Sequence, residues 1–350
     1  MDITFYIIFH INKKYIDTEG YDNVNLSIVC YNFSIKLGGE KLKKYILRRF
    51  ALLIPVIIGV TFIVFTLMFI TPGDPAKIIL GESAPAASVK QLRDEMGLNK
   101  PFLVQYGTYL KNLVVHQDIG KSYVTKRPVL KEIADCFPAT FKLASLSMIF
   151  AIAIGIPIGI ISAVKQYSWF DTFSMIFALI GISMPVFWMG ILLILLFAVQ
   201  LHWLPASGFS SINHMILPAI TLGAQSVAII TRMTRSSMLE VIRQDYIRTV
   251  RAKGQKESVV VLRHALGNAL IPIITIVGLQ FGGLLGGAVL TESIFSIPGV
   301  GRLMVDAIKM RDFPVVQGGV LFIAITFSIV NLLVDLLYAY VDPRIKSQYS

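Results

Sequence analysis

Six stretches of this 350-residue chain contain no Asp, Glu, Lys or Arg at all: 50 to 70, 143 to 164, 172 to 201, 215 to 231, 265 to 291 and 313 to 334. Charged residues make up only 15% of the composition against 55% hydrophobic, and the mean hydropathy is +0.69. A soluble globule carries about 25% charged residues, so that class is excluded. Each stretch is close to or above the ~20 apolar residues a helix needs to cross a bilayer. The expected fold is therefore all-α and integral to the membrane, with six transmembrane helices. A β-barrel is excluded, because its strands would alternate polar and apolar in pieces of about ten residues.

Other shortages exclude chemistry. The two cysteines, Cys30 and Cys136, are too few and too far apart for a disulfide framework or a metal site. The five histidines show no H-x-x-x-H spacing and stay out of the spans, which argues against an intramembrane metalloprotease. Serines within the spans, such as Ser145, Ser147, Ser174 and Ser183, have no base beside them in the membrane to activate a nucleophile. Gly120-Lys121-Ser122 resembles the end of a phosphate-binding loop, but Val115 stands where that loop requires glycine. No catalytic residue, metal or cofactor is assigned. The span centres also lack the ionisable groups that ion-driven carriers place there. Proton coupling is thereby disfavoured, and Na⁺ coupling through carbonyls and hydroxyls is the ion-driven alternative. Asn331 and Asp335, near one end of the last span, form the one polar pair of note, read first as a helix-end anchor.

The net charge of +11 has a topological cause rather than a nucleic-acid one. Lys36, Lys41, Lys43, Lys44, Arg48 and Arg49 precede the first span, and residues 232 to 268 carry eight basic groups against three acidic ones, whereas 202 to 213 has no Lys or Arg. The positive-inside rule places the two basic segments in the cytoplasm and the third outside. With six spans both termini are then cytoplasmic, and 73 to 141 forms an extracytoplasmic loop. The fourth window is the weakest, being short and holding Pro218, Gln225 and Ser226, and is kept because the charge pattern needs it. The first helix, 42 to 72, reads as an uncleaved signal anchor. Residues 1 to 41 read as an N-terminal extension, or as sequence upstream of a start at Leu42, since Gly38-Gly39-Glu40 can be encoded by a purine-rich ribosome-binding sequence.

Local signals fill in the rest. Ser88 with Gln91 predicts a capping box, Gly97 the end of that helix, and Pro101 the start of another through about Val115. Pro185, after Gly181-Ile-Ser-Met184, predicts a kink in the third span, either a gate or merely a shape. Gly278, Gly282 and Gly286 recur every four residues, with Gly283 and Gly287 in a second register. Such stripes suit close helix packing or a smooth wall beside a substrate path. Met238, Ile242, Tyr246 and Val250 also recur every four residues, predicting one apolar stripe with arginines elsewhere on the helix. Gly254 predicts the turn into a second helix from about Glu257 to Leu270. Such a bent pair is either a handle for a soluble partner or a basic segment on anionic lipid.

The run Asp245-Tyr-Ile-Arg-Thr-Val-Arg-Ala-Lys-Gly254, with Arg263-His-Ala-Leu-Gly-Asn-Ala-Leu-Ile-Pro272, resembles the loop by which permeases of ATP-binding-cassette importers engage their ATPases. Specifically, the chain resembles the B-type permease of dipeptide, oligopeptide and nickel importers. Tyr45-Ile-Leu-Arg-Arg49, Thr71-Pro-Gly-Asp-Pro75, Gly97-Leu with Pro101, Phe137-Pro-Ala-Thr140 and Phe295-Ser-Ile-Pro-Gly-Val-Gly-Arg302 carry the likeness further, over about 42 to 345. Gln117 and Gly267 depart from the family's usual residues. The resemblance implies a five-helix core over 142 to 345 with the coupling loop at 232 to 268, and Asp245, Tyr246, Arg248, Thr249, Arg251, Ala252, Lys253 and Gly254 as its ATPase-coupling residues. It also implies a second permease forming the path, two ATP-binding subunits, an extracytoplasmic substrate-binding protein and a bacterial plasma-membrane location. Di- or oligopeptides are the expected substrates, with nickel or another small solute as the alternative within the family. A stand-alone channel or ion-coupled carrier is the alternative outside it.

Overall fold

The computed structural model describes residues 39 to 81, 83 to 116 and 118 to 341, and these are helical with short connections. Residues Arg49–Val341 form one compact unit, and Gly39 to Arg48 falls in a second. Of the second unit, Gly39 to Arg48 is described and is helical, and the rest of the proposed 1 to 41 extension lies outside the described residues.

Helix α1 (Gly39–Ile70) contains the first span. Three short helices follow: α2 (Pro75–Leu80), α3 (Ala86–Glu95) and α4 (Phe102–Val115). Helix α5 (Val129–Val164) is the second span. The third apolar window is met by two helices, α6 (Trp169–Ser183) and α7 (Val186–Leu193), the latter running on as π-helical turns through Gln200. Helix α8 (Ile212–Ile242) is the fourth span, and α9 (Asp245–Ala252) follows it. Helix α10 (Glu257–Val259) passes through π-helical turns at Val260–Ala265 into α11 (Leu266–Ile294), the fifth span. Helix α12 (Val300–Lys309) then leads to α13 (Phe313–Val341), the sixth. Among the described residues there are thus six spans when the bent pair is taken as one.

Pro185 does more than kink its helix. The chain breaks at Met184–Pro185, α6 and α7 differ in direction by 106°, and Pro185 becomes the cap residue of α7. The fourth window has a feature that explains its poor hydropathy: 61% of it is buried, the most of any single-helix span. Helix α8 is solvated by protein rather than lipid, so its small and polar residues face neighbours. A side chain at Gly159 would lie 2.6 Å from Thr234 Cβ, and one at Gly223 would lie 2.8 Å from the Ser147 carbonyl. The α5–α8 seam therefore depends on glycine at these two positions to bring backbones close. Leu143, Leu217 and Ile230 are fully buried along the same core.

Helix α1 is the opposite case, with 6% of its span buried. Its aromatic contacts come from α4: the Phe102 ring meets Phe62, Phe65 and Phe69 edge-on, and the Tyr106 hydroxyl donates to the Ile58 carbonyl at 3.1 Å. Helix α3 begins at Ala86 with Pro85 as its cap residue, so Ser88 sits inside the first turn and the capping box does not form. Gln91 instead donates to Glu95 at 2.9 Å. Gly97 ends α3 at φ +68°, and Pro101 caps α4, as the local signals predict. Ser122 is no phosphate ligand: its hydroxyl donates to Asp312 at 2.5 Å, fixing the start of α13.

Candidate functional site

Helix α9 lies between two spans. Arg243 ends α8 and Gln244, with extended backbone, opens α9. This interruption slips the register of the apolar stripe by one residue. Met238 is fully buried as expected, but in α9 it is Ile247, not Tyr246, that is fully buried, in a cluster with Ala163, Met238, Val260, Val261 and Ala265. Val250 packs at the edge of that cluster. Tyr246 is 40% exposed and ties α9 to α11 through its hydroxyl, which accepts from Asn268 Nδ2 at 2.9 Å.

The rest of α9 faces outward. The side chains of Asp245 and Arg248 are 95% and 75% exposed and stand 3.6 Å apart. Thr249, Ala252 and Lys253 are exposed, and the Thr249 hydroxyl returns to the Asp245 carbonyl. Arg251 makes a two-pronged pair with Glu257, at 2.6 and 3.1 Å, which raises its pKa and straps the end of α9 to the start of α10. Gly254 has φ +75° with open space where a side chain would stand, so the turn requires glycine for its backbone rather than for room. The eight residues of the expected coupling set thus form one short helix and its terminal turn, held by a buried isoleucine and presenting three cations around an apolar anchor. Gly267, a departure from the family pattern, is equally unencumbered.

The glycine stripe lies elsewhere. A side chain at Gly278 would overlap Val334, one at Gly282 would stand 3.2 Å from the Phe327 ring and 3.5 Å from Asn331 Oδ1, and one at Gly286 would stand 3.7 Å from Ile323. This register meets α13, whereas Gly283 and Gly287 meet nothing within 4 Å. Pro185 is exposed at the α6–α7 break, where Gln225 Nε2 reaches the Met184 carbonyl at 3.5 Å.

Three buried polar constellations escape a sequence reading that looks only inside the apolar windows. Glu292 is fully buried. Its carboxylate accepts from the Thr140 hydroxyl at 2.6 Å and from the Arg302 amide at 3.1 Å, and the carboxylate overlaps the space a side chain at Gly299 would need. The Val300 amide in turn donates to Thr140 Oγ1 at 2.9 Å. Two motifs quoted only for their resemblance, Phe137 to Thr140 and Phe295 to Arg302, therefore meet on one carboxylate. Asp171 is likewise buried, gripped by Arg235 at 2.6 and 2.7 Å and by Ser162. Asp312 is the third, receiving Ser122 and the Tyr123 amide. The signal that could have found them is position: Glu292, Asp171 and Asp312 each stand one residue outside a charge-free window, where a charge is neither in lipid nor in bulk water.

Comparison with known proteins agrees with this architecture. Residues 155 to 347 match the family described as binding-protein-dependent transport system inner membrane component, and residues 42 to 144 match the N-terminal component of such membrane proteins. The dipeptide transport system permease protein DppB of Alkalihalophilus pseudofirmus is 50% identical over 330 residues, covering 86% of this chain and 99% of that protein. The glutathione transport system permease protein GsiC of Pectobacterium atrosepticum is 46% identical over 302 residues, covering 86% and 98%. Among solved structures, an inward-facing conformation of the MetNI methionine ABC transporter superposes with a TM-score of 0.51 at 18% identity, over 61% of this chain and 97% of that one, a likeness of fold. The chain is a multi-pass inner-membrane permease and belongs to the family of binding-protein-dependent transport system inner membrane components.

Proposed function

We propose that this chain is one of two permeases forming the path of an ATP-driven importer of di- or oligopeptides. The observation that carries this reading is α9, a short helix fixed by Ile247 whose Asp245, Arg248 and Lys253 are exposed. Two ATP-binding subunits would seat their surfaces on this helix. ATP-driven closure would draw the two permeases' helices together and turn the cavity outward, where a substrate-binding protein delivers the peptide, and hydrolysis would reset it. The span-end charges Glu292 and Asp171 are already engaged within the chain, which fits a permease whose energy comes from partner subunits. The peptide substrate is supported by the dipeptide and glutathione permeases, which match 86% of this chain.

The test is uptake in cells lacking their own peptide importers, supplied with the complete gene set. Labelled dipeptide is expected to accumulate only when this chain is present, and accumulation of nickel instead would replace the substrate assignment. Purified alone, the chain is expected to show no ATP turnover. In the proposed topology 73 to 141 is outside and 232 to 268 inside. Ser88→Cys in whole cells should therefore react with an impermeant thiol reagent and Lys256→Cys should not; the reverse pattern would invert the orientation.

A further inference from the structure

The two halves of the broken third span are held differently. Helix α7 and the turns that continue it pack on the main core through Leu193, Ile194, Phe197 and Ala198. Of the fifteen residues of α6, only Asp171 and Ala178 are buried, while Trp169, Phe173, Phe177 and Leu179 are exposed. Among the described residues, the hydrogen bonds from side chains of α6 to other spans all run through Asp171. It accepts two from Arg235 of α8, at 2.6 and 2.7 Å, and one from Ser162 of α5. Helix α6 is thus a mostly exposed rod with a break at Pro185 and a strap at its other end.

The strap is anchored beside the seat of α9. Ile247 shares its buried cluster with Ala163 and Met238. Ala163 follows Ser162 on α5, and Met238 lies less than one turn beyond Arg235 on α8. The same stretches of two helices therefore hold α9 with apolar side chains and Asp171 with polar ones. No residue of α6 belongs to the Ile247 cluster among the described residues. Holding α6 in place does not by itself call for charges, because apolar side chains of similar volume often hold a buried site as well as an ion pair does. Apolar contact is non-directional and lets a helix slide, whereas a two-pronged guanidinium–carboxylate pair sets both distance and angle. We infer that the Asp171–Arg235 pair makes α6 follow the seat of α9, so that movement of α9 bends the third span at Pro185. Asp171 and Arg235 are then positioning residues for transport, acting through α6. This rests on α9 being the helix that the ATP-binding subunits engage.

The assembled transporter in proteoliposomes tests this through the ATP hydrolysed per labelled dipeptide imported. Asp171→Leu with Arg235→Met fills the site and removes its directionality. This apolar pair should keep its ATP-binding subunits, and its ATP hydrolysed per peptide should rise about tenfold, a size within the range that coupling links carry. Arg235→Lys, which keeps the charge and loses the fork, should raise the ratio about threefold. A second readout is independent of turnover: spin labels at Phe177→Cys and Leu195→Cys, exposed positions on either side of the break, in a chain carrying Cys30→Ser and Cys136→Ser. In the otherwise unaltered chain the distance between the labels should shift when ATP binds, and in the apolar pair it should not. The inference is overturned if the apolar pair keeps either the wild-type ratio or the shift, or if the shift is absent without it. Each of these outcomes leaves the importer reading standing. Loss of the ATP-binding subunits from the apolar pair also overturns the inference, by making the pair part of their seat. A wild-type complex without ATP-dependent dipeptide uptake removes the peptide-importer reading, and the inference with it. Should the apolar pair fail to assemble, Arg235→Lys decides by the same two measurements.

Discussion

The carboxylate of Glu292 and the guanidinium of Arg251 both take two strong hydrogen bonds, yet they belong to regions built on opposite plans. Around Glu292 the enclosure comes from within the chain: the buried Thr140 from α5, the part-buried Arg302 amide from α12 and the close backbone of Gly299 surround it. Around Arg251 the single partner, Glu257, is itself half-exposed, and the neighbouring Arg248 and Lys253 are open to solvent. The first region joins α5, α11 and α12 and leaves nothing over for another molecule. The second is held by Ile247, by the Tyr246–Asn268 contact and by the Arg251–Glu257 pair, while the side chains of Arg248 and Lys253 reach solvent. A buried, fully engaged carboxylate costs a great deal to disturb because its donors have no water to turn to, whereas an exposed pair exchanges its partner for solvent at little cost. The difference separates residues that hold this chain together from residues available to its partners.

That separation can be broken most sharply at Glu292. Glu292→Ala strands the Thr140 hydroxyl and the Arg302 amide in a dry site and opens a cavity, a destabilisation on the order of 3–5 kcal/mol. The expected result is a large fall in membrane abundance and in the melting temperature of the detergent-purified protein, with Glu292→Gln intermediate because it keeps one acceptor. An alanine variant that melts like wild type would show that the region is no clamp. Next in size is Asp171→Ala, which leaves Arg235 without its carboxylate. Because Arg235 is 22% exposed, water offsets part of the loss, and about 2–3 kcal/mol is expected rather than the fully buried figure. Adding Arg235→Met should recover part of it, and a double variant worse than the single would refute the pairing as the cause.

Most of the fold was legible because lipid and charge exclude one another, so charge-free windows mark spans without further knowledge. The bilayer logic falters where protein replaces lipid. Helix α8 looked weak, with Pro218, Gln225 and Ser226, since a span buried among others need not be apolar all round. The same logic hid Glu292 and Asp171, whose burial depends on partners more than 60 residues away, Thr140 and Arg235. In α9 and the turn that ends it, the composition and the Gly254 turn were readable. The register was not, because four-residue spacing assumes one continuous helix and the break at Arg243–Gln244 slips it, burying Ile247 in place of Tyr246. The break at Pro185 shows the same limit: a proline announces an interruption, but the size of the change of direction, 106°, is not written in it.

Gly254 tests the exposed region without touching a neighbour. With φ +75° and open space around it, Gly254→Val carries only the cost of a left-handed β-branched residue, roughly 1–2 kcal/mol. The strain falls on a turn outside the buried clusters, so membrane abundance should hold while uptake and substrate-stimulated ATP hydrolysis by the complex fall. Gly254→Asn, which tolerates this conformation, should restore much of both. If valine transports as well as glycine, the angle between α9 and α10 is not what the partner reads.

The smallest effect on stability, and the sharpest statement of the comparison, is expected from reversing Arg248 and Lys253 together to Glu. Arg251 is left intact because its pair with Glu257 straps α9 to α10, so reversing it would mix an internal contact with an external one. Arg248 sits 3.6 Å from Asp245 in an i,i+3 pair whose members are 75% and 95% exposed, worth little in water, and Lys253 makes no ion pair among the described residues. The double reversal should therefore shift folding stability by no more than about 0.5 kcal/mol, the range of ordinary surface changes. Across an interface the same change converts attraction into repulsion and acts on docking. Melting temperature and membrane level should stay at wild-type values while co-purification of the ATP-binding subunits drops and becomes salt-dependent in the opposite sense. Loss of the protein from the membrane would mean that these charges serve the chain itself. Unchanged co-purification and uptake would mean that the partner ignores them and takes hold elsewhere on the helix.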